Sequence, residues 1–590
     1  MRAVLAGVKI VRKPPPSCTG WDAARKHRGA AGNFTFLSQR FGYDRANPTR
    51  GSYAYEFGRT FGLRNCQRVP TPMIKKLLFA GAACVALLLL LAAGLLLWPL
   101  PDMPRDGVEG DFVIRNVAVV DVGTGTIWQG RDVVLRDGKI TSVGPAAPSR
   151  ADDALIPIDG RGKYLMPGLW DMHTHSLKIS PHYMHPLFIA NGVTGVRDMS
   201  GCMSEPDSFF ACIGDRNAWN KATKDRSGLS PRYVLQSSFQ INGGNEVPDG
   251  FPGFFKARNA GEARQLVSFY RQAGANFLKP YSELSPVAYR ALADEARRQG
   301  LTLAGHRPLR VSLGDLLAAG QRSVEHPRIF LQECHNGAAA VRARPDPLAA
   351  SNAQLAWRLV NEHDRGRCAE LMDAMAKSDT WWTPTLQVLQ MGALAGNEAF
   401  RNDQRLRYIP FLFKKFLWAP DADRAARQPA DASGRSLYAT QYQMALGHVG
   451  QASSAGVKIL AGTDAGDTYV FPGFGIHDEL VELVKAGLSP AQALRSATLD
   501  AAIFSGLEDE FGSVTMGKTG DLILLDADPL ADVRNTQRIA GLFFGGQFFD
   551  RTALDKLLGF AEERAGSVRT NLHLLWDGLN SELLRVQAAD

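Results

Sequence analysis

From Leu77 to Trp98 the chain runs 22 residues without a charge, LLFAGAACVALLLLLAAGLLLW. About 20 apolar residues suffice for a helix to cross a bilayer core. After this run the pattern changes to strict alternation. Residues 112–164 switch between apolar and polar positions and are punctuated by turn residues, as in Phe112-Val-Ile-Arg-Asn-Val-Ala-Val-Val-Asp121. That is the signature of short antiparallel strands. The same texture returns from Gly512 to Arg551. Between the two lies a third pattern, in which short β-like runs alternate with longer helical ones. Strand candidates end near Trp170, Arg197, Leu235, Lys279, His306, His326, Thr385 and Asp464, with amphipathic helices over Ala260–Gln272, Pro286–Gln299 and Leu313–Ala319. Eight such units predict a parallel (β/α)8 TIM barrel, an α/β fold. Residues 340–455 are too long for one unit and are read as an insertion, with a lid built on Trp381, Trp382, Phe411 and Phe416. One or two helices are expected beyond Leu557.

Charge sharpens the reading of the N-terminus. Residues 1–72 hold 13 Lys/Arg against 3 Asp/Glu, and Lys75 and Lys76 follow, so the net charge of +8 belongs to this end and the remainder is mildly acidic. A nucleic-acid partner is therefore not expected. Lys75 and Lys76 stand before the apolar run, while Asp102, Arg105, Asp106, Glu109 and Asp111 follow it. The positive-inside rule leaves the N-terminus in the cytoplasm. A single-pass signal anchor over 73–100 then holds the rest on the periplasmic or extracellular side, with 77–98 in the membrane. No A-x-A cleavage site follows the run. Residues 1–72 lack periodicity and are read as a doubtful upstream extension, since Met73 resembles a natural start, or as a disordered tail. Export permits disulfides. Cys202 with Cys212 and Cys334 with Cys368 are conceivable pairs, and free buried thiols are the alternative; Cys84 is read as a membrane-embedded thiol.

The chemistry is concentrated at the strand ends. His173-Thr-His175 places two imidazoles on one side of a strand, because side chains two apart point the same way. Such a pair suits a zinc site. His306, His326, Lys279 and Asp464 close other strand candidates, and in a barrel all these ends meet at the C-terminal face. Lys279 is unusual beside metal cations. Burial near positive charge favours its neutral amine, which reacts with carbon dioxide to give a carbamate able to bridge two metals. The alternative is a salt-bridging lysine on the barrel rim. Tyr281 shares the direction of Lys279 and is placed either to stabilise an oxyanion or to pack.

These motifs, with Met166-Pro-Gly-Leu-Trp-Asp-Met-His-Thr-His175, Gly192-Val-Thr-Gly-Val-Arg-Asp-Met199, Thr383-Pro-Thr-Leu386, Leu460-Ala-Gly-Thr-Asp464 and Gly517-Lys-Thr-Gly-Asp-Leu-Ile-Leu-Leu-Asp526, resemble the amidohydrolase superfamily. Within it they resemble the branch of imidazolonepropionase-like proteins and Xaa-Pro dipeptidases. The resemblance implies a small β-sandwich made of 107–164 and 511–556 around a barrel over 165–510, with a helical tail over 557–590. It implies two divalent metals. His173, His175 and Asp464 would hold one, His306 and His326 the other, and carbamylated Lys279 would bridge them. Zinc suits these ligands, with manganese, cobalt and iron as alternatives. The implied reaction is amide hydrolysis of a dipeptide or N-acyl amino acid by a water activated between the metals, with Asp464 moving its proton. Dipeptidase-like relatives carry Gly-Gly-His where this chain has Gly243-Gly244-Asn245, so Asn245 is a candidate substrate contact, as is Tyr281. The alternatives are a cyclic-amide hydrolase, a deaminase, or a membrane-tethered binding protein without turnover. The oligomeric state is not readable from the sequence.

Overall fold

The computed structural model describes residues 71–146, 154–203, 205–244, 247–344, 353–428 and 430–589. Residues 1–70 and Asn245, on which two of the expectations rest, lie outside them. Thr71–Leu97 is one helix, and its stretch Leu78–Leu97 is long and apolar enough to cross a membrane. Its Cys84 is free and exposed. The body from Ala92 onward forms a separate compact unit.

Both ends of the body contribute to one nine-stranded sheet. Phe112–Asp121, Thr126–Arg136, Lys139–Pro145 and Tyr164–Pro167 come from one side of the sequence, and Leu522–Leu525, Ile539–Phe544 and Gln547–Asp550 from the other. The halves join where Leu522–Leu525 runs antiparallel to Tyr164–Pro167, Leu522 opposite Pro167. Phe112 and Phe543 sit three strands apart in this order, which in a flat sheet means about 14 Å. Their ring centroids are 5.5 Å apart. The expected sandwich is therefore one continuous sheet folded over a core of Ile114, Val133, Leu135, Leu165, Leu524 and Phe543.

The second sheet is parallel and holds seven strands in sequence order: Leu169–Thr174, Val193–Asp198, Arg232–Ile241, Phe277–Pro280, Thr302–Gly305, Ser323–Glu325 and Trp381–Thr383. The first two are buried along their whole length, as strands covered on both faces are. An irregular eighth segment closes the circle. Ile459 bridges in parallel to Trp382 and Ala465 to Thr174, while Leu460 N donates to Trp382 O and Met172 N to Ala461 O. Gly462 is what lets this segment fit. A Cβ there would lie 2.5 Å from Thr383 Cγ2 and 2.8 Å from the backbone nitrogen of His173. The arrangement is a nearly closed parallel barrel.

Several boundaries differ from the sequence reading. The first strand continues past Trp170 to Thr174 and the third past Leu235 to Ile241. Trp381 and Trp382 belong to no lid. They form the seventh strand, buried, and Trp382 Nε1 donates to His326 O at 2.9 Å. The strand expected to end near Thr385 ends at Thr383; covered on both faces it is apolar throughout, so no alternation separates it from a lid. Residues 340–455 thus carry helices before and after a barrel strand, with Phe411 and Phe416 exposed. The helices Ala260–Gln272, Pro286–Arg298 and Leu313–Ala319 begin at Asn259, Ser285 and Ser312, whose side chains accept from backbone N–H groups of the first turn, the usual N-cap device. The tail starts earlier than Leu557 and makes three helices, Arg551–Gly566, Val568–Asn580 and Glu582–Ala589. Ser567 ends the first of these and caps the second. Disulfides join Cys202 to Cys212 and Cys334 to Cys368.

Gly462→Ala should overpack the closing segment and destabilise the body by about 1–3 kcal/mol. A urea midpoint equal to that of the parent protein would show that the segment has room to shift.

Candidate metal centre

His173, inside the first strand, and His175, just beyond it, bring their Nε2 atoms to 3.3 Å of each other. Both face Asp464 Oδ1, at 3.3 and 2.9 Å. His306 follows the fifth strand and His326 the sixth, and their Nε2 atoms are 2.9 Å apart. Asp464 Oδ2 lies 3.6 Å from His326 Nδ1, which links the two groups. Lys279, in the fourth strand, lines the same cavity as His175, His306, His326 and Asp464. The structure thus brings all six sequence-derived ligands to one mouth of the barrel.

Two of these positions require unusual backbone. His326 has φ 75° and Asp464 φ 70°, left-handed values that cost non-glycine residues free energy. The bends are held by Asp464 N donating to His173 O and His326 N to Thr383 O. Asp171 also helps: Thr463 donates to it from Oγ1 at 2.6 Å and from its backbone N–H at 3.0 Å. Burial, against those bonds, pushes the Asp171 carboxyl up to about 7.

Ring orientation is set from behind. His173 Nδ1 lies 2.9 Å from Glu325 Oε2, His306 Nδ1 3.1 Å from Ser282 Oγ, and His326 Nδ1 3.0 Å from Thr385 Oγ1. Each contact leaves Nε2 facing the centre, as metal-bound histidines need. Burial depresses all three imidazoles, His326 to about 3 and His306 well below its ordinary value, so they are neutral donors at physiological pH. Burial works against ionisation of Asp464 too, but the surrounding histidines outweigh it and hold the carboxyl well below its usual range. The imidazoles of His173, His175, His306 and His326, crowded around the ionised carboxylate of Asp464, form a donor set for divalent cations.

Lys279 is 2% exposed, and burial lowers its pKa to about 8 despite the nearby Asp464 and Glu325. Its Nζ donates to Met199 O at 2.8 Å. A neutral amine is therefore accessible near neutral pH. Tyr281 stacks on the His306 ring with centroids 4.0 Å apart and lines the cavity. The cavity measures about 420 Å³ and is completed by Arg328, Val388, Gly466 and Asp467.

Glu325 and Arg197 are the main residues that motif reading passed over. Arg197 donates to Glu325 Oε2 at 2.8 Å, to Ser323 Oγ at 2.7 Å and to Met172 O at 2.6 Å. Both side chains are fully buried. Burial raises Glu325, but the Arg197 guanidinium and the His173 bond outweigh it and hold the carboxyl at about 2. A usable signal existed: Glu325 directly precedes His326, and Arg197 is a charged residue inside a strand that is buried along its whole length.

The sequence pattern described as the amidohydrolase family matches residues 448–548, which include Asp464. Adenine deaminase 3 of Rhizobium meliloti (strain 1021) is 31% identical over 198 residues, 30% of this chain and 33% of that protein. The adenine deaminase of Ligilactobacillus salivarius (strain UCC118) is 24% identical over 176 residues, 28% of each chain. The matched stretches therefore span a third or less of these relatives. Among solved structures, bottromycin amidohydrolase aligns with a TM-score of 0.61 at 23% identity, over 81% of this chain and 97% of its own. A Xaa-Pro dipeptidase with bound methionine aligns with a TM-score of 0.52 at 19% identity, over 75% of this chain and 100% of its own. These likenesses establish a shared fold. The amidohydrolase-family match is confined to residues 448–548, the part of the chain that carries Asp464 and the closing segment of the barrel.

Proposed function

We propose that this protein is a membrane-anchored, exported amidohydrolase that uses two divalent metal ions to cleave an amide C–N bond, in a dipeptide or an N-acyl amino acid. The observation that carries the reading is the convergence of His175, Lys279, His306, His326 and Asp464 on one cavity, with His173 buried directly behind His175 and Asp464. His173, His175 and Asp464 would hold one cation and His306 and His326 the other, with Lys279 as a carbamate between them. When bound, such cations polarise a carbonyl and make a water acidic enough to supply hydroxide near neutral pH. The rest falls to the chain. Asp464, held ionised, accepts the proton of the attacking water and passes it to the leaving nitrogen. Tyr281 stands at the cavity wall to donate to the developing oxyanion. Glu325 and Arg197 keep His173 in place. The helix Leu78–Leu97, preceded by Lys75 and Lys76, anchors the body on the outer side of the membrane.

A second reading is deamination, favoured by the matches to adenine deaminases. Lys279 argues for the first, since a bridging carbamate serves two metals. A panel of dipeptides, N-acyl amino acids, lactams and adenine separates them. Release of a free amino acid supports amide hydrolysis, whereas ammonia from adenine with no amide cleaved overturns it.

Elemental analysis of protein expressed with added metal should find about two divalent ions per chain; fewer than one would refute the binuclear centre. Lys279→Ala should lower kcat/KM by more than about a hundredfold, with part of the loss recovered on adding short carboxylic acids. Full activity in that variant excludes the bridge. Glu325→Gln should weaken metal binding by about 10–100-fold, read by chelator competition, and unchanged affinity would remove Glu325 from the supporting role.

A further inference from the structure

The buried arginines of this barrel face carboxylates. Arg197 has Glu325 at 2.8 Å, Arg216 has Asp198 at 2.9 Å and Arg307 has Glu333 at 3.2 Å. Arg232, nearer the surface, has Asp521 at 2.6 Å. Arg328 departs from this pattern. It is half-buried and lines the metal-centre cavity, two residues beyond His326. Among the described residues its guanidinium has no hydrogen-bond or ion-pair partner. Asp467 shares the cavity and acts on Arg328 through space, without an ion pair. The Arg328 backbone is set by the helix Ile329–Glu333 that begins at the next residue, so the side chain starts from a fixed point.

A cation drawn away from water without a counter-charge is destabilising. One kept in that state on a binding cavity is completed by a ligand that brings the opposite charge. The guanidinium fork matches a carboxylate in two parallel hydrogen bonds. The cavity, at about 420 Å³, is within the roughly 300–1,000 Å³ of small-molecule sites.

We propose that Arg328 binds the free carboxylate of the substrate, on the amine side of the scissile amide. The inference rests on the amidohydrolase reading and assigns the residue that recognises the free C-terminus of its dipeptide or N-acyl amino acid substrates. The reaction takes R-CO-NH-CHR′-COO⁻ and water to R-COO⁻ and the zwitterionic amino acid. The C–N bond breaks, a C–O bond forms, and both water protons end on the leaving nitrogen. Neutral lactams and nucleobases leave Arg328 without a partner and are disfavoured.

The test compares N-acetyl amino acids with their C-terminal amides on the full-length, metal-loaded protein, by kinetics and by titration calorimetry. Binding of the acid should be at least tenfold tighter than binding of the amide. Arg328→Met should collapse that ratio, mainly through KM, at unchanged metal content, and Arg328→Lys should restore part of it. An acid-to-amide ratio that is the same in the parent and in Arg328→Met, or near one in the parent, overturns the inference. Retained discrimination with no turnover of any amide overturns the amidohydrolase reading and leaves the carboxylate site standing. If Arg328→Met does not fold, the ratio in the parent and its change in Arg328→Lys decide.

Discussion

The buried bond between Arg197 and Glu325 underlies the centre. Two full charges lie fully buried inside the barrel, and removing either partner of such a pair typically costs about 3–5 kcal/mol. The pair is also more than a counter-charge. Glu325 Oε2 faces His173 Nδ1, and Arg197 Nε holds the carbonyl of Met172, the residue before that histidine. One guanidinium thereby positions the backbone and, through Glu325, the ring of the same ligand. In the proposed centre the aim of the His173 ring would set metal affinity, and this network fixes that aim.

The same logic extends outward. Asp198 sits at the end of the second strand and takes Arg216 at 2.9 Å, while also accepting from Ser176 N and Ser200 N. Ser176 follows His175, so a second buried ion pair braces the other half of the His-x-His motif. Asp171 ties the first strand to Thr463 and through it to the turn that carries Asp464. Left-handed backbone at His326 and Asp464 then turns these side chains into the mouth. The strain is local, and it is held by hydrogen bonds from neighbouring strands.

The convergence of the histidines, Lys279 and Asp464 was legible in the sequence because strand periodicity and barrel geometry act together. His-x-His needs only a period of two, and strand ends in a parallel barrel must share a face. The supporting residues were less legible. Glu325 and Arg197 are 128 positions apart, and nothing local marks either as a partner of His173. The seventh strand was legible from its expected end near Thr385, but its tryptophans also suggested a lid. Trp381 and Trp382 are apolar and adjacent, which suits a lid as well as a buried strand until the register against Ser323–Glu325 is known.

By itself, then, the sequence determined the apolar helix, the alternation of β and βα segments, and the identity of the six converging donors. All of these follow from spacing along one segment at a time. Tertiary structure decided that both ends of the body make a single folded sheet, that an irregular segment closes the barrel through Gly462, and that Arg328 stands in the cavity without an ion-pair partner among the described residues while Arg197, Arg216 and Arg307 have theirs. Charge pairing across the barrel depends on which strands become neighbours, and that is fixed only when the circle closes.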